Sequence, residues 1–352
     1  MARRRSSASP SRRDPRLALI AAIIALAGVY FARQNRSPEP SASGARRGGA
    51  TAGRRDAPAR DSGGASSETP GALLSAPAGA RLASGQAAIG SFNIKWFGTQ
   101  GPNPRTEENV RDVAQVIKNT GAALLGLGEI GDTAMMDRLV RYLPGYKYLM
   151  GTSGRGQRCA MLWDTARATV GRAAEWPDVN AGLTKSDGSL RAPLVAQARV
   201  GSFDFLFVVV HSKAMFDAKS IRTRREQHRR LRARLDEWVR NNGDKDVIVV
   251  GDFNDFPNSP ALAELTGGRG AGSVGFVNAG ARLPDDAITH LSPNGRIDHV
   301  LLSSPAVSQE EWTGAAFTYP KPKGAERKRY EDGVSDHLPT WATFNVSRDN
   351  DP

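Results

Sequence analysis

Residues 247–258 read VIVVGDFNDFPN: four aliphatic residues run directly into Gly251, Asp252, Phe253, Asn254 and Asp255. A short, continuous apolar run of this kind reads as a strand buried on both faces. A carboxylate at the end of such a strand is costly unless it is paired or holds a metal. Gly, Asp and Asn are also ordinary turn formers. The stretch alone therefore fits a plain turn as well as a site, and the rest of the chain must separate the two.

Several other apolar runs end the same way. SFNIK brings Asn93 to the end of the first strand, LLGLGEI brings out Glu129, and FVVVHSK ends in His211. GRIDHVLLS opens with Asp298 and His299, and GVSDHLPTWATF carries Asp336 and His337 just before the last strand. Turn preference does not explain six such sites, and three of the chain's five histidines fall in them. Hard oxygen donors without a thiolate suit Mg²⁺, Mn²⁺ or Ca²⁺ rather than zinc, with Mg²⁺ the expected cofactor. An imidazole beside a carboxylate can take a proton from water. Together these groups describe phosphoester hydrolysis, with a cation on the phosphate oxygens and an activated water in line.

Around these strand ends, residues 86–347 read as one large α/β domain with a short tail at 348–352. PRTEENVRDVAQVIKNTG is a helix with Thr106 as N-cap, Val110, Val113 and Ile117 on its apolar stripe, and Gly121 just past its end. DTAMMDRLVRYL and a charged stretch from about 218 to 240, with Leu231, Leu235 and Trp238 on one face, are further helices. Strand-like runs at 146–150, 158–163 and 193–200 join those already named. The alternation lacks the strict rhythm of a doubly wound sheet and predicts a four-layer sandwich of two mixed β-sheets flanked by helices.

The ordered set FNI, Glu129, RAP at 191–193, HSK, GDFN, IDH and SDH resembles the endonuclease/exonuclease/phosphatase superfamily, the fold of pancreatic deoxyribonuclease, over about residues 87–346. The resemblance implies roles. Asn93 and Glu129 would hold the metal with help from Asp336. His337 would be the general base or a phosphate-contacting imidazole, oriented by Asp298. His211 would contact the scissile phosphate or assist the leaving group, while Asp252 and Asn254 would position the water and stabilise the pentacovalent phosphorus. Arg191 would bind or brace a phosphate. In one departure, Gln157 stands where the deoxyribonuclease branch has a glutamate paired with the first catalytic histidine. Gln cannot stabilise an imidazolium through charge.

The first 85 residues have a different character. Residues 1–16 are basic, and Leu17–Ala32 is a 16-residue uncharged apolar run. It reads as an uncleaved membrane anchor, with the catalytic domain outside the cytoplasm, or as a signal peptide cleaved to release a secreted protein. Residues 33–85 are Ser, Gly, Ala, Pro and Arg with almost no large apolar side chains, as in a disordered linker. Residues 1–85 hold 14 arginines and no lysine against five acids, a net +9 of the chain's +12, so the basic excess lies mainly outside the folded body. The single cysteine, Cys159, reads as a small core residue and excludes an intrachain disulfide.

Three readings of function remain at this level. One is a nuclease acting on DNA or RNA, with candidate backbone contacts at Arg222, Arg225, Arg229, Lys321, Lys323 and Arg327. Another is a phosphodiesterase or phosphatase for a lipid or inositol phosphate head group. The last is a binding domain without catalysis. Nucleic acid as substrate and the membrane as anchor are the expected partners, and no protein partner is read from the sequence.

Overall fold

The structure, a computed structural model, describes residues 82–102, 104–184, 189–267, 273–292 and 294–349. Its strands are β1 (Gln86–Phe97), β2 (Ala122–Ile130), β3 (Tyr146–Met150), β4 (Arg158–Asp164), β5 (Ala168–Val170), β6 (Ala174–Glu175) and β7 (Leu194–Val200). They continue with β8 (Phe203–His211), β9 (Val247–Asp252), β10 (Gly275–Asn278), β11 (Asp298–Ser304), β12 (Trp312–Thr318) and β13 (Thr340–Asn345). The longer helices are α1 (Glu107–Thr120), α2 (Thr133–Arg141), α3 (Ala218–Asn242) and α4 (Gly324–Gly333).

The strands form two sheets, ordered β12-β13-β1-β2-β4-β3 and β10-β11-β9-β8-β7-β5, with β6 paired to β7. Both sheets are mixed: β1 runs parallel to β2 and β8 parallel to β9, and their other pairings are antiparallel. Helices cover the two outer faces, which gives the four layers expected from the sequence. The apolar runs are continuous because both faces are buried. Along β9, Ile248 and Val250 pack between the sheets while Val247 and Val249 pack toward α3. β8 divides in the same way, with Val209 facing in and Val208 facing α3. On the other sheet, Ile89 and Leu124 face in while Ala88 and Leu125 meet the side that carries α1 and α2.

Helix ends follow the expected signals. Thr106 caps α1 through its hydroxyl, and Gly121 closes it at φ 63°. Asp217 caps α3, which runs to Asn242 with Leu231 and Leu235 buried. Some elements were not foreseen. β5, β6, β10 and β12 are short or only partly buried and lack a clear alternating pattern. The charged segment at 321–329 enters α4, which keeps Tyr330 buried. The apolar run at 17–32 and almost all of the expected linker lie outside the described residues. Among the described residues, no helix is long and apolar enough to cross a membrane.

Gly251 has a structural role in the GDFN motif. It adopts φ +141°, and a Cβ there would lie 1.9 Å from the carbonyl oxygen of Val210 on the neighbouring parallel strand. Only glycine allows β8 and β9 to run together up to His211 and Asp252, which face each other in register. Gly251→Ala is expected to lower unfolding stability in urea by about 1–3 kcal/mol. Gly275→Ala, whose new methyl would meet Ser304 at an ordinary 3.4 Å, should stay within about 0.5 kcal/mol of the parent.

Candidate active site

The polar strand ends gather where the apolar layer between the sheets runs out. His211 continues the inward register of Val209, Asp252 that of Val250, and Asp298 that of Val300 and Leu302. Asn93 likewise continues the inward register of Ile89 on β1. Because β8 and β9 are parallel and β11 opens beside the end of β9, His211, Asp252 and Asp298 lie at one end of one sheet. Glu129 breaks this rule. Leu125 and Leu127 point outward, so alternation would send Glu129 outward too. A shift in the pairing of β2 with β4 after Leu127, and φ +59° at Glu129, turn its carboxylate to the inside.

A cleft of about 230 Å³ opens over these groups and is lined by Glu129, Asp252, Asn254, Asp336, His211 and His337, among others. Asp252 is 3% exposed, and its carboxylate accepts the backbone amide of Asn254 at 2.7 Å, the Asn254 side chain at 3.0 Å and the Asn93 side chain at 3.1 Å. Asp298 accepts the Nδ1–H of His337 at 2.8 Å, which leaves Nε2 facing Asp252 at 3.9 Å and Asp336 at 4.0 Å. Asp298 also receives support from behind, since Thr289 accepts the Asp298 amide. Glu129 accepts the Trp96 amide and the Gln157 side chain on one oxygen and the Asn93 side chain on the other.

All nine residues proposed from the sequence, Asn93, Glu129, Arg191, His211, Asp252, Asn254, Asp298, Asp336 and His337, line or border this one cleft. The structure shows how several of these groups are engaged. Gln157 does not pair with His211; it donates to Glu129 at 2.9 Å. The Nδ1 of His211 is buried without a partner, and its Nε2 lies 3.5 Å from Asp252. Several arginines proposed to track a nucleic-acid backbone are already engaged. Arg225 pairs with Glu264, Arg229 with Glu226, and Arg327 with Glu331 and the Leu291 carbonyl. Arg191 is buried and donates to the Ser212 carbonyl, so it braces the floor of the cleft.

Six lining residues were missed in the sequence: Lys95, Trp96, Lys213, Ala214, Met215 and His290. Lys95 bonds Asp336 at 3.1 Å. The His290 ring packs edge-on against His337 with centroids 4.3 Å apart, and its Nδ1 accepts the Ser292 amide. Lys95 and Trp96 stand next to the FNI motif and Lys213 ends HSK, so their adjacency was the available signal. His290 lies on a loop without any motif.

Burial opposes charge on every histidine, and neighbours decide the outcome. Burial disfavours the His337 imidazolium, but the charges of Asp298, Asp252 and Asp336 and the Asp298 hydrogen bond outweigh it and raise His337 to about 10. Burial, with Arg191 and His337 nearby, holds His211 well below its ordinary value. Burial lowers His290 to about 3 and His228 to about 4, and it lowers His299 as well. Burial also pushes Asp252 up to about 7 against the pull of His337. Asp336 goes the other way: His290, His337 and Lys95 overcome burial and bring it to about 2.

The donor set suits a hard divalent cation. Glu129, Asp336 and the Asn93 side-chain oxygen are oxygen ligands, and the sole cysteine, Cys159, is buried in the core between the sheets. Among the described residues, carboxylates and imidazoles also converge in two groups at this end, His290 with Asp336 and His337, and Asp252 with Asp298 and His337.

Residues 90–337 match the Endonuclease/Exonuclease/phosphatase family. A search of curated proteins found no match. Solved structures of similar fold include the human Nocturnin catalytic domain with bound sulfate, 16% identical over 74% of this chain and 94% of that one, with a TM-score of 0.54. D. rerio TDP2 complexed with a single-strand DNA product is 16% identical over 74% of this chain and 99% of that one, with a TM-score of 0.54. Truncated Caenorhabditis elegans TDP2 is 18% identical over 74% and 98%, with a TM-score of 0.53. At these identities the likeness is one of fold.

The histidines give stability a distinctive pH dependence. His211, His228, His290 and His299 have folded values below the ordinary 6.5, so as the pH falls below 6.5 the unfolded chain takes up protons on these imidazoles that the folded chain resists. Asp252 acts in the opposite sense, binding a proton below about 7 in the folded state only. His337 is charged in the folded state throughout, while its unfolded imidazole gains its proton through 6.5, so it opposes the others near pH 7 and adds no slope by pH 5. Unfolding free energy in EDTA should therefore fall from pH 6.5 to 5, by about 1.4 kcal/mol per pH unit for each net proton bound on unfolding. Urea midpoints at pH 7, 6 and 5 test this; a flat profile would mean that these imidazoles reach solvent.

Proposed function

Because the chain belongs to the Endonuclease/Exonuclease/phosphatase family and so hydrolyses phosphoester bonds, we propose that it is a divalent-metal-dependent nuclease whose substrate is DNA. The observation that carries this reading is the charge inside the cleft. Lys213 lines it without forming an ion pair with any described carboxylate, and burial first, then the nearby Arg191 guanidinium, depress its ammonium. A chain of phosphodiesters supplies the missing negative charge. A lipid reading lacks comparable support, since among the described residues Ile221 is the one large apolar side chain that stands exposed. D. rerio TDP2, of similar fold, has been crystallised with a single-strand DNA product. With Leu17–Ala32 read as anchor or signal, the DNA would be met outside the cytoplasm.

Each group has a part in the reaction. A cation held by Asn93, Glu129 and Asp336 would supply positive charge to the phosphate oxygens. His337, kept charged by Asp298, directs its Nε2–H into the cleft as a donor to a non-bridging phosphate oxygen. A charged imidazole cannot also accept a proton, so that task falls to the Asp252 carboxylate, whose affinity for a proton is raised by burial to about 7. Asn254 and Asn93 fix the Asp252 carboxylate from two sides. His211 stays neutral and turns its Nε2 toward Asp252, so it serves as a hydrogen-bond donor and not as a strong acid.

Plasmid DNA should be cleaved with Mg²⁺ and left intact in excess EDTA, and Glu129→Gln should remove most of the activity. Asp252→Asn is expected to lower kcat by about 10²–10⁴-fold. Asp298→Asn and His337→Ala should each cost about as much as the double variant, because the two residues act as one unit; losses that multiply would mean independent roles.

A further inference from the structure

We propose that Trp96 and Met215 form a base-binding subsite, stacking a nucleobase beside the scissile phosphate and making the enzyme selective for phosphodiesters that carry bases. The inference rests on the nuclease reading and adds to it a means of choosing substrate.

Most residues lining the cleft are polar, and Trp96, Ala214 and Met215 are its apolar lining residues. Trp96 and Met215 are half-buried, and neither belongs to any of the three apolar clusters that make up the core. A tryptophan normally buries its rings against apolar neighbours, yet this one stands at the catalytic cleft. Both residues also adopt left-handed backbone, φ 49° at Trp96 and 82° at Met215, which side chains of this size avoid on steric grounds. Neither strained position is compensated by core packing.

Both positions are held by hydrogen bonds, those at Trp96 from groups of the site and that at Met215 from a buried arginine behind it. Between Asn93 and Phe97, β1 carries three residues opposite the single Glu129 of β2, and this bulge carries Trp96. The Trp96 amide donates to Glu129 at 3.1 Å, the Lys95 amide donates to Asn93 at 3.1 Å, and the Lys95 side chain bonds Asp336. The Met215 carbonyl accepts from Arg224, a fully buried guanidinium that also holds the Lys213 carbonyl and Asp255. These contacts fix the backbone from which the indole and the thioether project, and at Trp96 they are made by the same carboxylate that serves the reaction. An aromatic face and a polarisable sulfur suit a flat heteroaromatic ring, and every base offers one, so the subsite would accept many sequences. An inositol or acyl group has no such face.

The full chain with Mg²⁺ is assayed on a decathymidylate and on an abasic oligomer of the same length, in which tetrahydrofuran units replace every nucleoside. The readout is the ratio of kcat/KM for the two. The parent should favour the base-bearing oligomer by about tenfold or more, through KM. Trp96→Ala should bring the ratio near one, Trp96→Phe should keep most of it, and Met215→Ala should reduce it in part. A parent ratio near one with both oligomers cleaved, or a ratio that survives Trp96→Ala, overturns the subsite and leaves the nuclease reading intact. Hydrolysis of p-nitrophenyl phosphate with neither oligomer cut overturns both.

Discussion

The inner faces of the two sheets impose one alternating register, and the catalytic groups occupy the positions where that register leaves the apolar layer. Val209, Val250 and Val300 fill the interior, and His211, Asp252 and Asp298 follow them on the same faces. Burial at this depth makes an isolated carboxylate untenable, so each is tied to donors: Asp298 to His337, and Asp252 to Asn93 and Asn254. The Asp298–His337 pair is the critical contact. Burial opposes the charge on His337 as it does on His211 and His290, and the charge and hydrogen bond of Asp298 are the largest influences that restore it, with Asp252 and Asp336 adding to them.

Much of this was legible because the signal was local and periodic. VIVV at 247–250 is buried on both faces, and the polar residue that ends each run keeps the parity of the residue two before it. Glu129 was found as the polar end of the apolar run LLGLGEI, although parity alone would have turned it outward; the backbone shift after Leu127 brings it inward. Other features depend on contacts remote in sequence. The Gln157–Glu129 bond spans 28 positions, and the His290–His337 contact unites a loop with a motif 47 residues further on. No window along the chain contains those facts. β10 and β12 escaped notice because half-buried edge strands lack strong patterning.

The arginines of α3 show how composition misleads. SIRTRREQHRRLRARLDEW reads as a basic face ready for phosphates, yet Arg224 and Arg232 are fully buried. Arg224 ties the 213–215 loop to Asp255, and Arg232 bonds Asp236 and the Leu265 carbonyl. Arg225, Arg229 and Arg230 are in ion pairs on the surface, where such pairs contribute little to stability. The helix is basic chiefly because it braces loops and neighbouring acids. The charge available to a substrate comes instead from single residues inside the cleft, Lys213 foremost.

Backbone strain is concentrated at the same place. Of the seven non-glycine residues with positive φ among the described residues, five line the cleft: Lys95, Trp96, Glu129, Met215 and Asn254. Such conformations cost about 1–3 kcal/mol each and persist only where surrounding contacts over-determine them. Here the contacts are identifiable: amides of Lys95, Trp96 and Asn254 donate to the carbonyl or carboxylate oxygens of Asn93, Glu129 and Asp252. The arrangement is reciprocal. The strained amides hold the polar side chains in fixed orientations, and the side chains hold the backbone in conformations it would otherwise leave. A site built this way needs little reorganisation when charge develops on a substrate, which is where electrostatic catalysis gains most. It also means that loss of Asn93, Glu129 or Asp252 would release the backbone beside it, so the carboxylates and the walls of the cleft are one mechanical unit.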